Sequence, residues 1–184
     1  MAPTLNTQHL IIRPFTSADL PAFARYRAIP SIAKYQSWHE YHLDDAIALF
    51  ESTHYDAFGA AEQWFQLAII DKHTQQLAGD VAVHFIDEHQ VEIGFTIAPQ
   101  FQRLGIAKTA VRCVLTYLFN AMNKHRVIAI TDVRNDASCG LLRALGFRQE
   151  AHFIKNVFFK GEWGDEYLFA ILQSEFSDAH TVSC

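Results

Sequence analysis

Hydrophobic and polar positions alternate with a period that switches between two and about 3.6, and the switches mark the elements of this chain. Leu10-Ile11-Ile12-Arg13-Pro14-Phe15 predicts a first strand. Thr16-Ser17-Ala18-Asp19 has the form of a capping box opening a helix, and Pro21 lies early enough in that helix to kink it. Residues 43–55 predict a second helix, with Ala46, Leu49 and Phe50 on one face. Past Gly59, strands are expected at residues 64–70, 77–86 and 91–97, joined by polar turns at 71–75 and 87–89 as an antiparallel meander. A loop over residues 99–107 leads into a helical pattern from 105 to 120, with Ile106, Ala110, Val114, Tyr117 and Leu118 on one stripe. Residues 127–131 read as a short buried strand. A helix at 136–145 follows, with Gly146 just past its end. Strands at 153–159 and 167–172 close the chain, turning through Gly161-Glu162-Trp163-Gly164. One helical crossover between strands 91–97 and 127–131 makes those two parallel neighbours. The class is α/β, of the α+β type, with a mixed sheet.

Composition narrows the function classes. The 184 residues suit one domain, with a core over about residues 9–173 and a polar, flexible tail expected at 174–184. Half the residues are hydrophobic and 19% are charged, which excludes a disordered chain and supplies a core without disulfide or metal staples. The net charge of −5 argues against a nucleic-acid binder working by phosphate neutralisation, and leaves room for a cationic partner such as an amine. Cys113, Cys139 and Cys184 are odd in number and follow no framework spacing. With no signal peptide and no apolar run of membrane-spanning length, they point to reduced thiols in a cytoplasmic protein.

The chemistry-bearing segment is Gln102-Arg103-Leu104-Gly105-Ile106-Ala107, between a strand and an amphipathic helix. Gly105 and Ala107 carry little side chain, so backbone N–H groups at the helix start can face outward, and the helix dipole favours an anion there. A phosphate or pyrophosphate site follows. Lys108-Thr109 fits the end of a P-loop, but Gln102 and Ala107 stand where its glycines belong, and no GxGxxG is present. Close helix packing alone also accounts for small residues here. Gly94, inside a strand, suggests a bulge. His39-Glu40-Tyr41-His42 is one residue short of the zinc-binding HExxH, and no other histidines have ligand spacing, so no metal site is expected.

Gln102, Gly105 and Ala107 match the pattern Gln/Arg-x-x-Gly-x-Gly/Ala, and the segment resembles the acyl-CoA pyrophosphate loop of the GNAT acetyltransferases. Leu10-Ile11-Ile12-Arg13-Pro14, Gly79-Asp80-Val81, Val91-Glu92-Ile93-Gly94-Phe95, Thr131 to Ser138, and Leu145-Gly146-Phe147 occur in that family's order. Gly161-Glu162-Trp163-Gly164-Asp165 is similar to the RimJ/RimL branch, which acetylates N-termini of ribosomal proteins. The resemblance covers residues 10–172. It implies a mostly antiparallel sheet of six to seven strands, with flanking helices and a splayed parallel pair. It implies acetyl-CoA as co-substrate, held by the backbone of Phe95, Thr96 and Ile97, by Gln102, Arg103, Leu104, Gly105, Ile106, Ala107 and Lys108, and by Asn135 and Ser138.

For the chemistry, the resemblance implies direct attack of a primary amine on the thioester. An α-amine, titrating near pH 8, is easier to make neutral than a lysine near 10.4. Glu92 matches the strand carboxylate that serves as base in lysine-acetylating relatives, and Ser138 lies where the thiolate is reprotonated. A surface pairing for Glu92, helix capping by Asn135-Asp136-Ala137-Ser138, and proton relay by water or His84 are the competing readings. The helix carries no tyrosine to act as acid, Cys139 reads as buried filler, and Lys155-Asn156-Val157-Phe158 lacks the carboxylate some RimJ/RimL members place there. The acceptor is expected to be a ribosomal or other protein N-terminus. A polyamine or antibiotic acceptor and a non-catalytic acyl-CoA-binding module stand as alternatives. Residues 38–63 are the variable part expected to select the acceptor, and Trp38, Tyr41, Trp64 and Phe65 either line an acceptor pocket or serve core and helix packing. No nucleic acid or membrane partner is expected, and the protein is expected as a monomer or homodimer.

Overall fold

A computed structural model describes residues 1–176. Eight strands form one sheet in the order β1-β2-β3-β4-β5-β6-β8-β7. They are β1 (Leu5–Asn6), β2 (Leu10–Pro14), β3 (Gln63–Asp71), β4 (Leu77–Phe85), β5 (Gln90–Ile97), β6 (Arg126–Asp132), β7 (Arg148–Phe159) and β8 (Glu162–Leu172). That is more than the six to seven expected, because the two residues of β1 pair with Ile11 and Ile12 and are too short to leave a periodic signal. Neighbours are antiparallel everywhere except β5 and β6, which are parallel.

The helices are α1 (Leu20–Arg27), α2 (Pro30–Ala33), α3 (Leu43–Ser52), α4 (Ile106–Thr116) and α5 (Asp136–Ala144). The capping box forms as expected: the Thr16 amide and hydroxyl both donate to Asp19 Oδ2 at 2.8 Å, and Arg13 grips the same carboxylate. Pro21 does not kink α1. It falls in the first turn, where a missing N–H breaks no helical bond. The one-turn α2 was not legible, and α3 ends at Ser52 rather than residue 55. The turn of the last hairpin is Lys160-Gly161 alone, with φ of 52° and 84°. Two positive-φ residues in succession make the primed turn that matches strand twist. Glu162, Trp163 and Gly164, expected as turn, are already in β8, with Gly164 opposite Val157.

Alternation along the strands builds the core. Phe65, Leu67, Val81, Val83, Phe85, Val91 and Ile93 are buried on the face that α4 covers, where Ala110, Val111, Val114 and Leu115 of that helix are buried too. On the other face α1 meets β4 and packs on α3. Past α4, residues Tyr117–Ala121 wind into a π-type turn. At the chain's end, Gln173–Glu175 form a 3-10 turn and the Phe176 ring lies 5.2 Å from Phe119, so the first residues of the expected tail are packed. Residues 177–184 of that tail lie outside the described residues. No described helix is long and apolar enough to cross a membrane.

One seam of the sheet opens. β5 and β6 pair only from Gln90–Arg126 to Glu92–Ile128, and beyond that the strands part. β5 stays with β4 in unbroken register from Phe85–Val91 to Gly79–Ile97, while β6 follows β8 along its whole length. Each strand keeps its antiparallel neighbour, and the divergence falls on the parallel seam. The bulge expected at Gly94 is therefore absent: Gly94 sits opposite Ala82 in regular register.

Candidate active site

The parting of β5 and β6 creates two cavities that meet. The larger, about 530 Å³, runs from the splayed end of β5 along the loop into α4, facing the start of α5. Arg103 and Gly105 both take left-handed backbone, with φ of 61° and 77°, and Gly105 caps α4. That conformation turns the chain so the first amides of α4 open toward the cleft without helical partners. Phe95, Thr96, Ile97, Gln102, Arg103, Gly105, Ile106, Ala107, Lys108, Asn135 and Ser138 all line it. Leu104 does not: its side chain points to solvent, 67% exposed. The Gln102 carboxamide donates to the Ile97 carbonyl at 2.9 Å, so it fastens the loop to the strand end. Asn135 caps α5, accepting from the Ser138 amide at 3.2 Å.

The smaller cavity, about 200 Å³, lies in the opened seam and reaches the face opposite α4. Its lining comes from distant strands: Gln66 of β3, Asp80 and Ala82 of β4, Ile93 to Thr96 of β5, Ala129 to Asp132 of β6, Val157 of β7 and Glu166 of β8. Gly94 contributes no side chain there, which leaves the space open. Asp80 is buried on its floor, accepting from Tyr26 Oη, from Gln66 Nε2 and, at 3.2 Å, from Arg27. Arg27 is itself enclosed by Phe23, Trp38 and Tyr41, its guanidinium carbon 4.2–5.3 Å from their ring centres. Burial and the adjacent Asp80 push the Tyr26 phenol well above its usual range. Asp132 takes three bonds from Arg134, at 2.7–3.0 Å, which hold its carboxyl below the ordinary range.

Six residues line both cavities: Tyr35, Gln36, Phe95, Thr96, Asn135 and Ser138. Ser138 is thus at the junction, as expected. Glu92 is not. It sits where β5 and β6 are still paired, and neither cavity is lined by it. Its carboxylate lies 3.7 Å from His84 Nδ1, and burial pushes its pKa up against the lowering effect of that imidazole. His84 in turn stacks on Trp64, 4.6 Å apart and nearly parallel. Trp64, Phe65, Trp38 and Tyr41 line neither cavity; Phe65 is core, and Trp38 and Tyr41 enclose Arg27. Of the two readings for these aromatic residues, Phe65, Trp38 and Tyr41 take the core and packing role. Cys139 is buried, and that burial raises its thiol, which fits filler. Among the described residues no three His, Cys, Asp or Glu side chains are grouped to hold a metal ion.

Sequence reasoning missed Tyr35, whose hydroxyl donates to the Arg134 carbonyl at 3.0 Å across the junction. It also missed Asp80 and Glu166 as cavity residues. Glu166, on the paired strand opposite Phe153, lines the same cavity as Val157 and accepts from Asn156 Nδ2 at 2.6 Å. Cross-strand register carries that signal, and a single strand's sequence does not.

Residues 9–148 match the family model described as "Acetyltransferase (GNAT) domain". The chain is 31% identical over 174 residues to the uncharacterized N-acetyltransferase YnaD of Bacillus subtilis, covering 94% of this chain and 99% of that protein. It is 28% identical over 116 residues to a spermidine N(1)-acetyltransferase of Vibrio cholerae, over 63% of this chain and 66% of that one. The crystal structure of a GNAT-family acetyltransferase from Bacillus anthracis superposes with a TM-score of 0.85 at 28% identity, covering 94% of this chain and all of that one.

Proposed function

The chain belongs to the GNAT acetyltransferases and uses acetyl-CoA as acetyl donor, and from that premise we propose that its acceptor is the α-amine of a protein N-terminus. One observation carries this reading: the cleft along the α4 loop and the cavity in the β5–β6 seam meet at Thr96 and Ser138. A donor lying in the first would present its thioester where an amine in the second can reach it. The α4 amides and the left-handed Arg103-Leu104-Gly105 turn suit the pyrophosphate, and the unpaired length of β5 suits an extended arm laid beside it. Thr96 and Ile97 supply backbone there, and Asn135 and Ser138 close the opposite wall.

The acceptor choice rests on acidity. An α-amine near pH 8 gives up its proton to a carboxylate more readily than a lysine-type amine near 10.4. The similarity of residues 161–165 to the RimJ/RimL branch points the same way. A polyamine acceptor is the second reading, favoured by the match to a spermidine acetyltransferase. Thiol release from acetyl-CoA tests the choice, using peptides with free N-termini, the same peptides N-acetylated but bearing lysine, and spermidine. Turnover is expected with the free N-termini. Faster release with spermidine would overturn the α-amine assignment.

A further inference from the structure

Four carboxylates stand in or beside the acceptor cavity, and their partners differ. Asp80 is saturated by Tyr26, Gln66 and Arg27. Asp132 is neutralised by Arg134, which also reaches Glu162 at 2.6 Å. Glu92 faces His84 outside the cavity lining. Glu166 lines the cavity, and among the described residues no cation lies within ion-pair distance of it. The nearby Lys155 pairs with Asp165 instead, and the His152 ring nitrogen lies 3.1 Å from the same carboxylate. Glu166 Oε2 accepts from the neutral Asn156, while Oε1 accepts from no described residue. The backbone register sets Glu166 directly opposite Asp132, a like-charge pair that costs stability in a sheet. The strand keeps that pair at the mouth of the splayed seam.

We propose that Glu166 is the general base that takes the proton from the acceptor amine. The proposal rests on the amine-acceptor reading. The amine enters as an ammonium, and one N–H proton passes to Glu166 Oε1. The freed lone pair attacks the thioester carbon; a C–N bond forms and the C–S bond breaks. The nitrogen's second proton ends on the departing sulfur, and Glu166 returns its proton to solvent. Asn156 holds the carboxylate in place without neutralising its charge. Asp80 and Asp132 are unsuited because their lone pairs are taken by strong donors.

Glu166→Gln tests this, since an amide at the same place still accepts from Asn156 and loses only the charge and basicity. At pH 7, kcat/KM for the amine should fall roughly 100-fold. It should then climb about tenfold per pH unit toward the amine pKa near 8, where free amine no longer needs a base. The KM for acetyl-CoA and the thermal shift produced by CoA should stay within twofold of wild type. A pH profile that superimposes on wild type would overturn the assignment. Glu166→Asp guards against a folding failure: it should keep the wild-type profile shape at a lower rate, and an Asp variant with the profile of free amine would count against the proposal. Wild-type protein that binds CoA but acetylates no amine at any pH would overturn the acceptor reading itself, and Glu166 with it.

Discussion

The two cavities that meet at Thr96 are made of different material. The cofactor cleft is lined mainly by one continuous stretch, residues 95–108, with the start of α5 opposite. Its character comes from backbone: a strand released by its parallel neighbour, two left-handed residues and a helix N-terminus. The acceptor cavity draws side chains from α1, α5 and six strands, most of them brought together by strand register. Backbone sites tolerate changes of side chain and reveal themselves in local motifs. Side-chain sites depend on distant partners, and each substitution changes what they can hold.

The largest expected effect lies on the acceptor side. Arg27→Met removes the one cation among the described residues that bonds Asp80, leaving there a buried carboxylate with Tyr26 and Gln66. Breaking such a pair costs about 3–5 kcal/mol. For a chain of this size that lowers Tm by roughly 10 °C, measurable by calorimetry. Below the new Tm, amine turnover should be lost while CoA still gives a thermal shift. If CoA binding falls in parallel with turnover, the two cavities are not separable and the comparison breaks.

Gly79→Ala probes the strand both cavities share. A Cβ there would meet the Thr96 carbonyl oxygen at 2.2 Å and Ile97 Cα at 3.0 Å, both backbone of β5. β5 must move, and such overpacking costs about 1–3 kcal/mol. Unlike Arg27→Met, this variant should weaken CoA binding and amine turnover together, read by calorimetric titration and by thiol release. Intact CoA affinity would show that the position of β5 does not govern the cleft.

Legibility in the sequence follows the same division. Phe95, Thr96 and Ile97 were expected from the splayed strand and Gln102 to Lys108 from the contiguous loop pattern, and of these all but Leu104 line the cleft. The β5–β6 seam was also foreseen, although for a wrong local reason: Gly94 makes no bulge, and the strands part because each follows its antiparallel partner. Asp80, Tyr35 and Glu166 were not assigned to the acceptor cavity. Their roles depend on Asp80 lying opposite Thr96, on a one-turn helix carrying Tyr35 to Arg134, and on Glu166 lying opposite Asp132. No periodicity within one element encodes those pairings. Glu92 is singled out by its likeness to the strand carboxylate of lysine-acetylating relatives. The register places it in the last β5–β6 pair, opposite Ile128, just before the seam opens.

Gly105→Ala isolates the backbone contribution to the cleft. A Cβ at Gly105 would meet nothing within 4 Å, so the whole cost is the left-handed φ of 77°. That conformation disfavours a side chain by about 1–2 kcal/mol. CoA affinity should drop by a similar amount as the turn relaxes, with amine KM little changed. Gly105→Asn should recover part of the loss, because asparagine tolerates left-handed backbone. Equal losses for Ala and Asn would point to side-chain bulk in place of backbone strain.

The smallest effect, and the sharpest contrast with Glu166, is expected at Glu92. Burial raises the Glu92 carboxyl above its unfolded value, with His84 only partly offsetting it. The folded state therefore holds the Glu92 proton more tightly than the unfolded chain does. Stability from this group is full below the unfolded carboxylate pKa and is lost as pH rises through the folded value. At pH 7 the ionised, partly buried carboxylate is a net cost, so Glu92→Gln should stabilise the protein by roughly 0.5 kcal/mol. Denaturant titrations should show that advantage shrinking as pH falls through the raised folded value of Glu92, and gone below about 4, where Glu92 is protonated in both states. Turnover of Glu92→Gln should stay within about threefold of wild type, since the proton-transfer role lies at Glu166. A Glu92→Gln loss as deep as that of Glu166→Gln would move the base out of the cavity and onto the closed part of the seam.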